Sequence, residues 1–364
     1  MSEEYVEPKT EKTLDETDKK CPSCGGTLEY SAAAHATKCP YCGYEEEVVL
    51  EDENITKAAE NVLDFSDALQ NQDWGTETKT VTCEACGAES IYDSMQISDV
   101  CPYCGSNHVM KADNENTIAP GGVVPFKISD KEASELFRTW IKKKWFCPKL
   151  AKETAKAKKF NGIYLPYWTF DAETDSHYSG RYGKDRTVGS GDKKRTVTDW
   201  YRTSGNYDQF FDDELVQACS NQNEAMLRDL EPFDTEDNKP YKPEYIAGYT
   251  AQRYSIALKD AWEKAKSSIQ GKIKRAIEKK VRSEERADHV EINNINTDFS
   301  GLTYKYLLLP VWNSSYKYKD KVYHFMVNGQ TGKVAGKSPI SPIKVAFAIL
   351  AAIVMILIAY QMLN

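Results

Sequence analysis

The sequence predicts a multidomain protein with two small β zinc ribbons, an α+β domain with a long helical insertion, and one C-terminal transmembrane helix. Three observations lead to this fold class. Eight cysteines form two matched sets near the N-terminus, the composition becomes that of a globular domain from Val123 onward, and an apolar stretch closes the chain. A chain of 364 residues is long enough for two or three packed units.

The cysteines form four C-x-x-C motifs with a repeated spacing. In each set, fourteen residues separate the first motif from the second, and the second set repeats the first after 62 residues. A Gly follows each motif and allows a tight turn whose amides can face the thiolates. We therefore predict two Zn²⁺ per chain, each held by four sulfurs. The ligands are Cys21, Cys24, Cys39 and Cys42 at the first site, and Cys83, Cys86, Cys101 and Cys104 at the second.

Two other uses of these cysteines remain open at this point. A redox C-x-x-C of the thioredoxin type needs a single motif at a helix start within a βαβ unit, and an iron centre is the other alternative. The segments between the motifs are short and alternating, so neither ribbon can fold on core burial alone. Zinc binding, worth roughly 10–16 kcal/mol at small structural sites, would supply that stability.

The rest of the chain divides by composition. The expected parts are a disordered acidic N-terminus (1–20), zinc ribbon 1 (21–50), an acidic linker helix (51–82), zinc ribbon 2 (83–110), the α+β domain (120–338) and the transmembrane helix (345–363). The linker helix would be capped by Asn54 and end before Gly75, with one apolar side. That side would carry Ile55, Ala59, Val62 and Leu69.

Helix and strand signals follow one another in the α+β domain. Ser129 and Glu132 form a capping box that predicts a helix ending before Pro148, and residues 249–286 predict a long helix with one narrow packing face. Strands are expected at 162–170, 303–309, 311–318 and 322–327, with hairpin turns across the Gly-rich stretch from Gly180 to Arg195.

One short sequence echo suggests an internal relationship. The segment Tyr306-Leu-Leu-Leu-Pro-Val-Trp312 resembles Ile163-Tyr-Leu-Pro-Tyr-Trp168. We infer two related β-modules separated by a helical insertion. An ordinary β core that repeats a few residues by chance is the alternative.

The last apolar stretch, residues 345–363, is interrupted only by Gln361. At 1.5 Å per residue it spans about 28 Å, close to the hydrocarbon thickness of a bilayer. Lys333, Lys337 and Lys344 precede it, so the positive-inside bias predicts a single-pass cell-membrane protein whose N-terminal bulk is cytoplasmic. A buried core helix is the alternative, but such a helix would show a polar face.

The net charge of −8 is distributed unevenly. Residues 1–104 contain 7 Lys and Arg against 23 Asp and Glu. Because phosphate contacts depend on cations, these acidic ribbons disfavour nucleic acid as a partner. The basic runs at Lys142–Lys144 and 272–286 would be solvated helix faces or lipid headgroup contacts.

The sequence offers no catalytic motif, and we predict that the chain is not an enzyme. Gly336-Lys337-Ser338 resembles the end of a phosphate-binding loop, but Thr331 stands where its first Gly belongs and Pro339 follows where a helix should start. A hairpin is the better interpretation. Cys147 and Cys219 are expected to be buried or idle thiols.

Taken together, the motifs resemble a known family. Tandem CPxCG ribbons, LPYW, LEPFD, PYKPEYIAGY, LLLPVW and VNGQTGKVAGKSP before a terminal apolar helix are similar to the YdjG-like zinc-ribbon membrane proteins of Gram-positive bacteria, often labelled TFIIB-type or PriA-like. This resemblance implies membrane-associated assemblies with flotillin-like SPFH and envelope-stress proteins, and no catalytic residues. We expect a tail-anchored scaffold that binds membrane proteins and the bilayer, with a membrane-tethered nucleic-acid-binding protein as the alternative. The oligomeric state stays open.

Overall fold

The computed structural model describes most of the chain from residue 118 onward and parts of the N-terminal third. The described ranges are 9–12, 21–26, 28–31, 34, 36–48, 56–63, 78–82, 89–93, 96–100, 107–109, 118–154, 160–191, 194–220, 224–319 and 321–363.

Strands dominate the described residues. They are β1 (Lys9–Lys12), β2 (Glu29–Ser31), β3 (Ala36–Lys38), β4 (Glu45–Glu46), β5 (Asn61–Val62), β6 (Thr78–Thr82), β7 (Glu89–Asp93), β8 (Gln96–Val100), β9 (Asn107–Val109), β10 (Gly122–Val123), β11 (Asn161–Val188), β12 (Arg195–Gln217), β13 (Lys239–Pro240), β14 (Thr250–Gln252), β15 (His289–Tyr318), β16 (Lys321–Asn328) and β17 (Val334–Gly336). The helices are α1 (Asp130–Lys143), α2 (Lys149–Thr154), α3 (Glu224–Leu230), α4 (Pro243–Ile246), α5 (Leu258–Glu284) and α6 (Pro342–Leu363).

One large mixed sheet organises these elements. Its main path runs β13-β10-β15-β11-β14-β8-β9, with β12 beside β11, β5 and β16 beside β15, and β17 beside β16. Two small sheets, β2-β3-β4 and β1-β6-β7, carry the N-terminal strands. The long strands β11 and β15 pair antiparallel from Asn161 opposite Asn313 to Gly183 opposite His289. This central pair forms the middle of the large sheet.

The large sheet is built from two equivalent β-α-β-β units. The first unit is β10-α1-β11-β12 and the second is β14-α5-β15-β16. In each unit the short first strand pairs in parallel with the long strand of the other unit. The paired residues are Gly122 with Leu307 and Val123 with Leu308 in one contact, and Thr250 with Ile163 and Ala251 with Tyr164 in the other. The units are therefore interlocked across a local two-fold relationship.

Hydrogen bonds outside the ladders repeat the same relationship. The indole Nε1 of Trp168 donates to the Ile256 carbonyl at 2.9 Å, and that of Trp312 donates to the Ile128 carbonyl at 2.7 Å. The residue that follows each hairpin donates its amide to the carbonyl of a proline in an echo segment, Ala218 to Pro166 at 3.0 Å and Gly329 to Pro310 at 2.9 Å. Each tryptophan thus hydrogen-bonds to the residue that precedes the N-cap of the other unit's helix.

Both faces of the sheet are covered by apolar side chains. The face under α1 and α5 buries Tyr164, Trp168, Tyr306 and Leu308, among others. The opposite face buries Leu165, Leu307, Leu309 and Val311 beneath α3. Alternate residues of each long strand point to opposite faces, so burial on both sides produces the nearly continuous apolar sequence of the echo segments.

Local signals in the sequence explain both long helices of the domain. The Ser129 hydroxyl accepts from the Glu132 amide, and the Glu132 carboxylate accepts from the Ser129 amide, which completes the predicted capping box of α1. Apolar residues of α5 recur every three or four positions and are buried. They are Leu258, Ala261, Trp262, Ala265, Ile269, Ile273, Ile277 and Val281. The single narrow packing face of this helix is confirmed.

Three expectations for the α+β domain need correction. Residues Gly180 to Val188 continue β11 instead of forming hairpin turns, and β12 already begins at Arg195. Gly180 serves a different purpose, because a Cβ there would lie 2.3 Å from the Glu291 carbonyl oxygen at a register shift against β15. The strands expected at 303–309 and 311–318 form one strand that starts at His289. The long helix α5 is no insertion, since it occupies the place in the second unit that α1 has in the first.

Two expectations for the N-terminal region are also wrong over the described residues. Residues 56–63 are extended and not helical. Their amides find partners in the sheet: the Ala58 N–H donates to the Asn238 side chain at 2.6 Å and the Leu63 N–H to the Leu302 carbonyl at 3.0 Å. Such tertiary bonds override a weak helix preference. Residues Lys9–Lys12, expected to be disordered, form β1 parallel to β6.

The C-terminal helix α6 is long and apolar enough to cross a membrane. Residues Pro342–Gln361 have a mean hydropathy of 2.6, and none of this window is buried against the rest of the protein. Ile343, Phe347 and Met355 are all more than 60% exposed. A core helix of a soluble domain would be covered instead.

Candidate zinc centre and its docking on the sheet

The first cysteine set is formed by two turns of the same geometry. The Cys21 carbonyl accepts from the Gly25 amide at 2.8 Å, and the Cys39 carbonyl accepts from the Gly43 amide at 3.0 Å. Gly25 and Gly43 have φ values of 72° and 79°. Glycine adopts this left-handed region without the steric cost of a Cβ, which explains the Gly after each of these two C-x-x-C motifs.

These turns bring four sulfurs together. The Sγ atoms of Cys21 and Cys42 are 3.4 Å apart, those of Cys24 and Cys39 are 3.5 Å apart, and all four lie within 4.8 Å of one another. A tetrahedron with Zn–S bonds of about 2.3 Å has sulfurs about 3.8 Å apart. The four side chains therefore fit one zinc ion.

The surroundings of the sulfurs favour a bound cation. Burial opposes ionisation of Cys39, but the amides of Cys42 and Tyr41 and the neighbouring thiols outweigh it and lower the pKa of Cys39 to about 7. The pKa of Cys42 is raised to about 12, because its interactions with Cys21 and the other sulfurs outweigh the hydrogen bond from the Tyr44 amide. Four crowded sulfurs cannot all ionise without a positive charge between them, which zinc would supply.

Tyr30 of β2 lies at the centre of the contact between the ribbon and the large domain. Tyr30 is 3% exposed, its amide donates to the Ala247 carbonyl at 3.0 Å, and its carbonyl accepts from the Tyr249 hydroxyl at 3.1 Å. Its ring meets the Tyr245 ring edge-on with centroids 5.5 Å apart. Ribbon 1 thus docks on residues Tyr245–Gln252, which we call the docking segment.

The docking segment connects the ribbon to the core of the large sheet. Tyr249 stacks on Phe126 with ring centroids 4.5 Å apart and lies 6.0 Å from the ring of Trp312. Trp312 in turn holds the start of α1 through its indole N–H. Tyr249 therefore connects the two, because its hydroxyl bonds to the Tyr30 carbonyl of the ribbon and its ring packs in the aromatic core of the domain.

The region of the second cysteine set reaches the same docking segment. β8 pairs antiparallel with β14, and the Ser98 hydroxyl lies 2.6 Å from the Tyr249 carbonyl and 3.1 Å from the Ile246 carbonyl. Ile97 is fully buried beside it. Strands from both cysteine regions thus meet the docking segment.

The second set itself, Cys83, Cys86, Cys101 and Cys104, lies outside the described residues. The strands around it are described. β6 and β7 pair antiparallel on either side of the first motif, and β8 and β9 pair on either side of the second.

A charged cluster that the sequence did not reveal lies across the neighbouring strands β12, β11 and β15. Lys305, 7% exposed, places its ammonium 2.8 Å from the Asp213 carboxylate and 3.3 Å from that of Glu60. Asp171 accepts from the Asp213 amide at 2.7 Å and from the Thr303 hydroxyl at 2.6 Å. These residues come from four separate segments, and no local signal distinguishes them from other acids. The buried ammonium already occupies the position of a cation here.

The Gly336 segment and the two cysteines outside the ribbons lie in ordinary structural positions. Gly336 ends β17 in a hairpin with β16, so the phosphate-loop alternative fails here. Cys147 and Cys219 are both buried. A cleft of about 850 Å³ lies between α3, α5 and β12, but its charges of both signs are partly paired, as in Lys272 with Glu214. Its lining therefore indicates no single class of ligand.

Comparison with known proteins agrees with the family resemblance. A protein of Bacillus subtilis (strain 168) called "Uncharacterized protein YdjG" is 30% identical to this chain over 332 residues, which are 90% of this chain and 91% of that protein. No family model matches the chain, and no solved structure matches it. Similarity of this extent covers nearly the whole of both proteins. The chain therefore belongs to the YdjG family.

Proposed function

We propose that this chain is a membrane-anchored adaptor that uses its zinc ribbons to bind other proteins at the cell membrane. The observation that carries this proposal is the orientation of ribbon 1. It docks through Tyr30 and leaves the tips of its cysteine turns in solvent, where Tyr41 is 79% exposed. Exposed aromatic side chains on a rigid support are typical of protein recognition sites.

The charge of ribbon 1 indicates the kind of partner. Residues 21–48 contain four acids and one cation, Lys38, which pairs with Glu45 at 2.5 Å. Zinc with four thiolates adds two further negative charges. A partner with a basic surface would complement this knuckle face, which we define as Tyr41, Glu45 and Glu47.

The acidic charge of ribbon 1 and the pairing of cations on the large sheet both weaken the nucleic-acid alternative. Phosphate binding requires cations that are available to replace counterions. Two prominent arginines of the β11-β12 hairpin are already paired, Arg181 with Glu291 at 2.7 Å and Arg186 with Asp199 at 2.5 Å. The described surfaces therefore favour a protein partner.

Membrane anchoring rests on α6. Its twenty-residue apolar window is long enough for the hydrocarbon core, and the lysines that precede it favour a cytoplasmic location of the preceding domain. Flotillin-like SPFH proteins are candidate partners through the family resemblance. A second zinc at Cys83, Cys86, Cys101 and Cys104 belongs to this proposal.

The test is affinity purification of the full chain in mild detergent, followed by mass spectrometry of bound proteins. Wild type is compared with a Tyr41→Ser/Glu47→Lys variant, which alters the knuckle face without touching a cysteine. A matched control, Trp200→Ser/Glu278→Lys, alters an exposed aromatic residue and an acid elsewhere. We expect membrane proteins that are retained by wild type and control and lost from the knuckle variant.

The opposite result is equally specific. Nucleic acid that stays bound at high salt, together with an unchanged set of proteins in the knuckle variant, would replace the adaptor with the nucleic-acid-binding alternative. Membrane anchoring is checked separately by alkaline carbonate extraction. The full chain should stay with the membrane pellet, and a chain ending before Pro342 should move to the supernatant.

A further inference from the structure

An exposed apolar cluster lies between α1 and α2. Trp145 is 58% exposed, Phe146 43% and Leu150 57%, and the first two rings meet edge-on with centroids 4.8 Å apart. Single exposed apolar residues are common on protein surfaces, but adjacent large ones mark a contact site. We call residues Lys144–Leu150 the interfacial loop.

The interfacial loop is fastened to the start of α6. The Ser341 amide donates to the Phe146 carbonyl at 2.9 Å. The Lys344 ammonium donates to the carbonyls of Trp145 and Cys147 at 2.8 and 2.9 Å. These three bonds join the loop to the residues that immediately precede the apolar stretch.

This attachment sets the depth of the loop relative to a bilayer. Lys344 is the last charged residue before the end of the chain, so it marks the boundary between headgroups and hydrocarbon. The carbonyls that hold its ammonium must lie at the same level. Tryptophan is enriched at this level, because its ring is apolar and its N–H is polar.

Charge around the loop points to anionic lipid. Residues 138–154 contain six cations and one acid. Lys142, Lys143 and Lys149 are exposed, and Lys149 lies 3.8 Å from Glu153, that single acid. Each lysine near an anionic leaflet adds to the electrostatic attraction. Apolar residues surrounded by lysines fit a membrane surface better than a protein surface of mixed charge.

We propose that the interfacial loop inserts Trp145, Phe146 and Leu150 into the headgroup region of an anionic phospholipid leaflet. The proposal rests on the membrane anchoring proposed above. With the helix as one attachment and the loop as a second, the domain cannot swing freely about α6. The sheet and its zinc ribbons therefore keep a fixed orientation to the bilayer, which an adaptor needs to present one face to its partners.

The test uses the full chain reconstituted into vesicles of zwitterionic and anionic phospholipid whose acyl chains carry bromine near the headgroup. Bromine quenches tryptophan fluorescence at short range. We expect quenching in wild type, loss of most of the quenched signal in Trp145→Phe, and little change in the matched control Trp200→Phe, which alters an exposed tryptophan of β12.

A second comparison tests the lipid charge. Lys142→Gln/Lys143→Gln/Lys149→Gln should reduce the quenching of Trp145 in anionic vesicles. The control Lys184→Gln/Lys194→Gln/Arg195→Gln removes the same charge from exposed sites near the tip of the β11-β12 hairpin and should not. High salt should reduce the difference between the two triple variants.

The outcomes separate this proposal from the anchoring on which it rests. If the wild-type protein resists carbonate extraction but Trp145→Phe leaves the quenching unchanged, the loop does not contact lipid and only this inference is overturned. If the wild-type protein is extracted by carbonate, the membrane span fails and the loop proposal fails with it.

Discussion

Leu165 and Leu309 pair with each other at the centre of the large sheet, and they are equivalent residues of its two β-α-β-β units. On either side of this pair the equivalences continue, since Pro166 faces Leu308 and Tyr164 faces Pro310. A local two-fold axis therefore passes between the two leucines. The short echo between LPYW and LPVW in the sequence lies at this axis, where the long strand of each unit has the other long strand as its neighbour.

This symmetry predicts two similar mutational effects. Trp168→Phe and Trp312→Phe each remove an indole donor from a carbonyl at the start of the other unit's helix. We expect each to lower the free energy of unfolding by about 1–3 kcal/mol, because a carbonyl loses its partner. Thermal unfolding of the full chain in detergent measures this. Trp200→Phe, at an exposed site, should change little, and an equal loss there would contradict the assignment.

The zinc centre predicts a defined stoichiometry. Wild type should bind two Zn²⁺ per chain, and Cys39→Ser should bind one, because three sulfurs and a hydroxyl hold zinc far less tightly than four thiolates. Metal analysis of the purified full chain measures the content. Cys219→Ser, which removes a buried cysteine outside the site, is the control and should keep both ions. Unchanged zinc in Cys39→Ser would exclude the proposed ligand set.

Docking of ribbon 1 can be separated from metal binding. Tyr30→Ala removes a buried ring from the contact with Tyr245, and we expect a loss of about 3–5 kcal/mol at this contact. The ribbon should become sensitive to protease while its zinc content stays the same. Tyr30→Phe keeps the ring and both backbone hydrogen bonds, so it should behave like wild type. Protease resistance in Tyr30→Ala would show that other contacts hold the ribbon.

Local features of the fold could be predicted from the sequence, and long-range ones could not. The capping box at Ser129 and the apolar spacing of α5 depend on residues within a few positions, and both predictions are correct. Over residues 56–63 the predicted linker helix is wrong, because Ala58 and Leu63 find partners at Asn238 and Leu302, far away in the sequence. No periodicity encodes such partners, and a free sheet edge outweighs local preference.

The candidate zinc site likewise has one part that the sequence predicts, the ligand set, and one that it does not, the docking contact. Cysteine spacing and the glycine after each motif are enough to predict the four sulfurs that the structure brings together. The sequence does not predict that Tyr30 docks on residues Tyr245–Gln252, although part of this segment belongs to the motif PYKPEYIAGY. A motif can report a contact without naming its partner.

The pair of Lys305 and Asp213 predicts a pH-dependent stability. Burial opposes ionisation of Asp213, but the Lys305 ammonium and the Thr235 hydroxyl outweigh it and lower the pKa of Asp213. Burial also opposes the charge of Lys305, but Asp213 outweighs it and raises the pKa of Lys305. The stabilisation is thus complete between the unfolded pKa values of the two groups, about 4 and about 10. It is lost as pH falls through the lowered pKa of Asp213 or rises through the raised pKa of Lys305.

Lys305→Met tests the pair, because it leaves a buried carboxylate without its cation. We expect a loss of about 3–5 kcal/mol at neutral pH, measured against wild type by thermal unfolding. The pKa of Asp213 should rise in this variant, so the deficit should shrink as the pH is lowered toward about 5 and the carboxyl becomes neutral. Adding Asp213→Asn should restore part of the stability at neutral pH. Asn is the suitable partner substitution, since Asp213 has a φ of 48° and asparagine tolerates that region. A deficit that is independent of pH and unaffected by Asp213→Asn would mean that Lys305 stabilises the sheet through packing of its side chain and not through its charge.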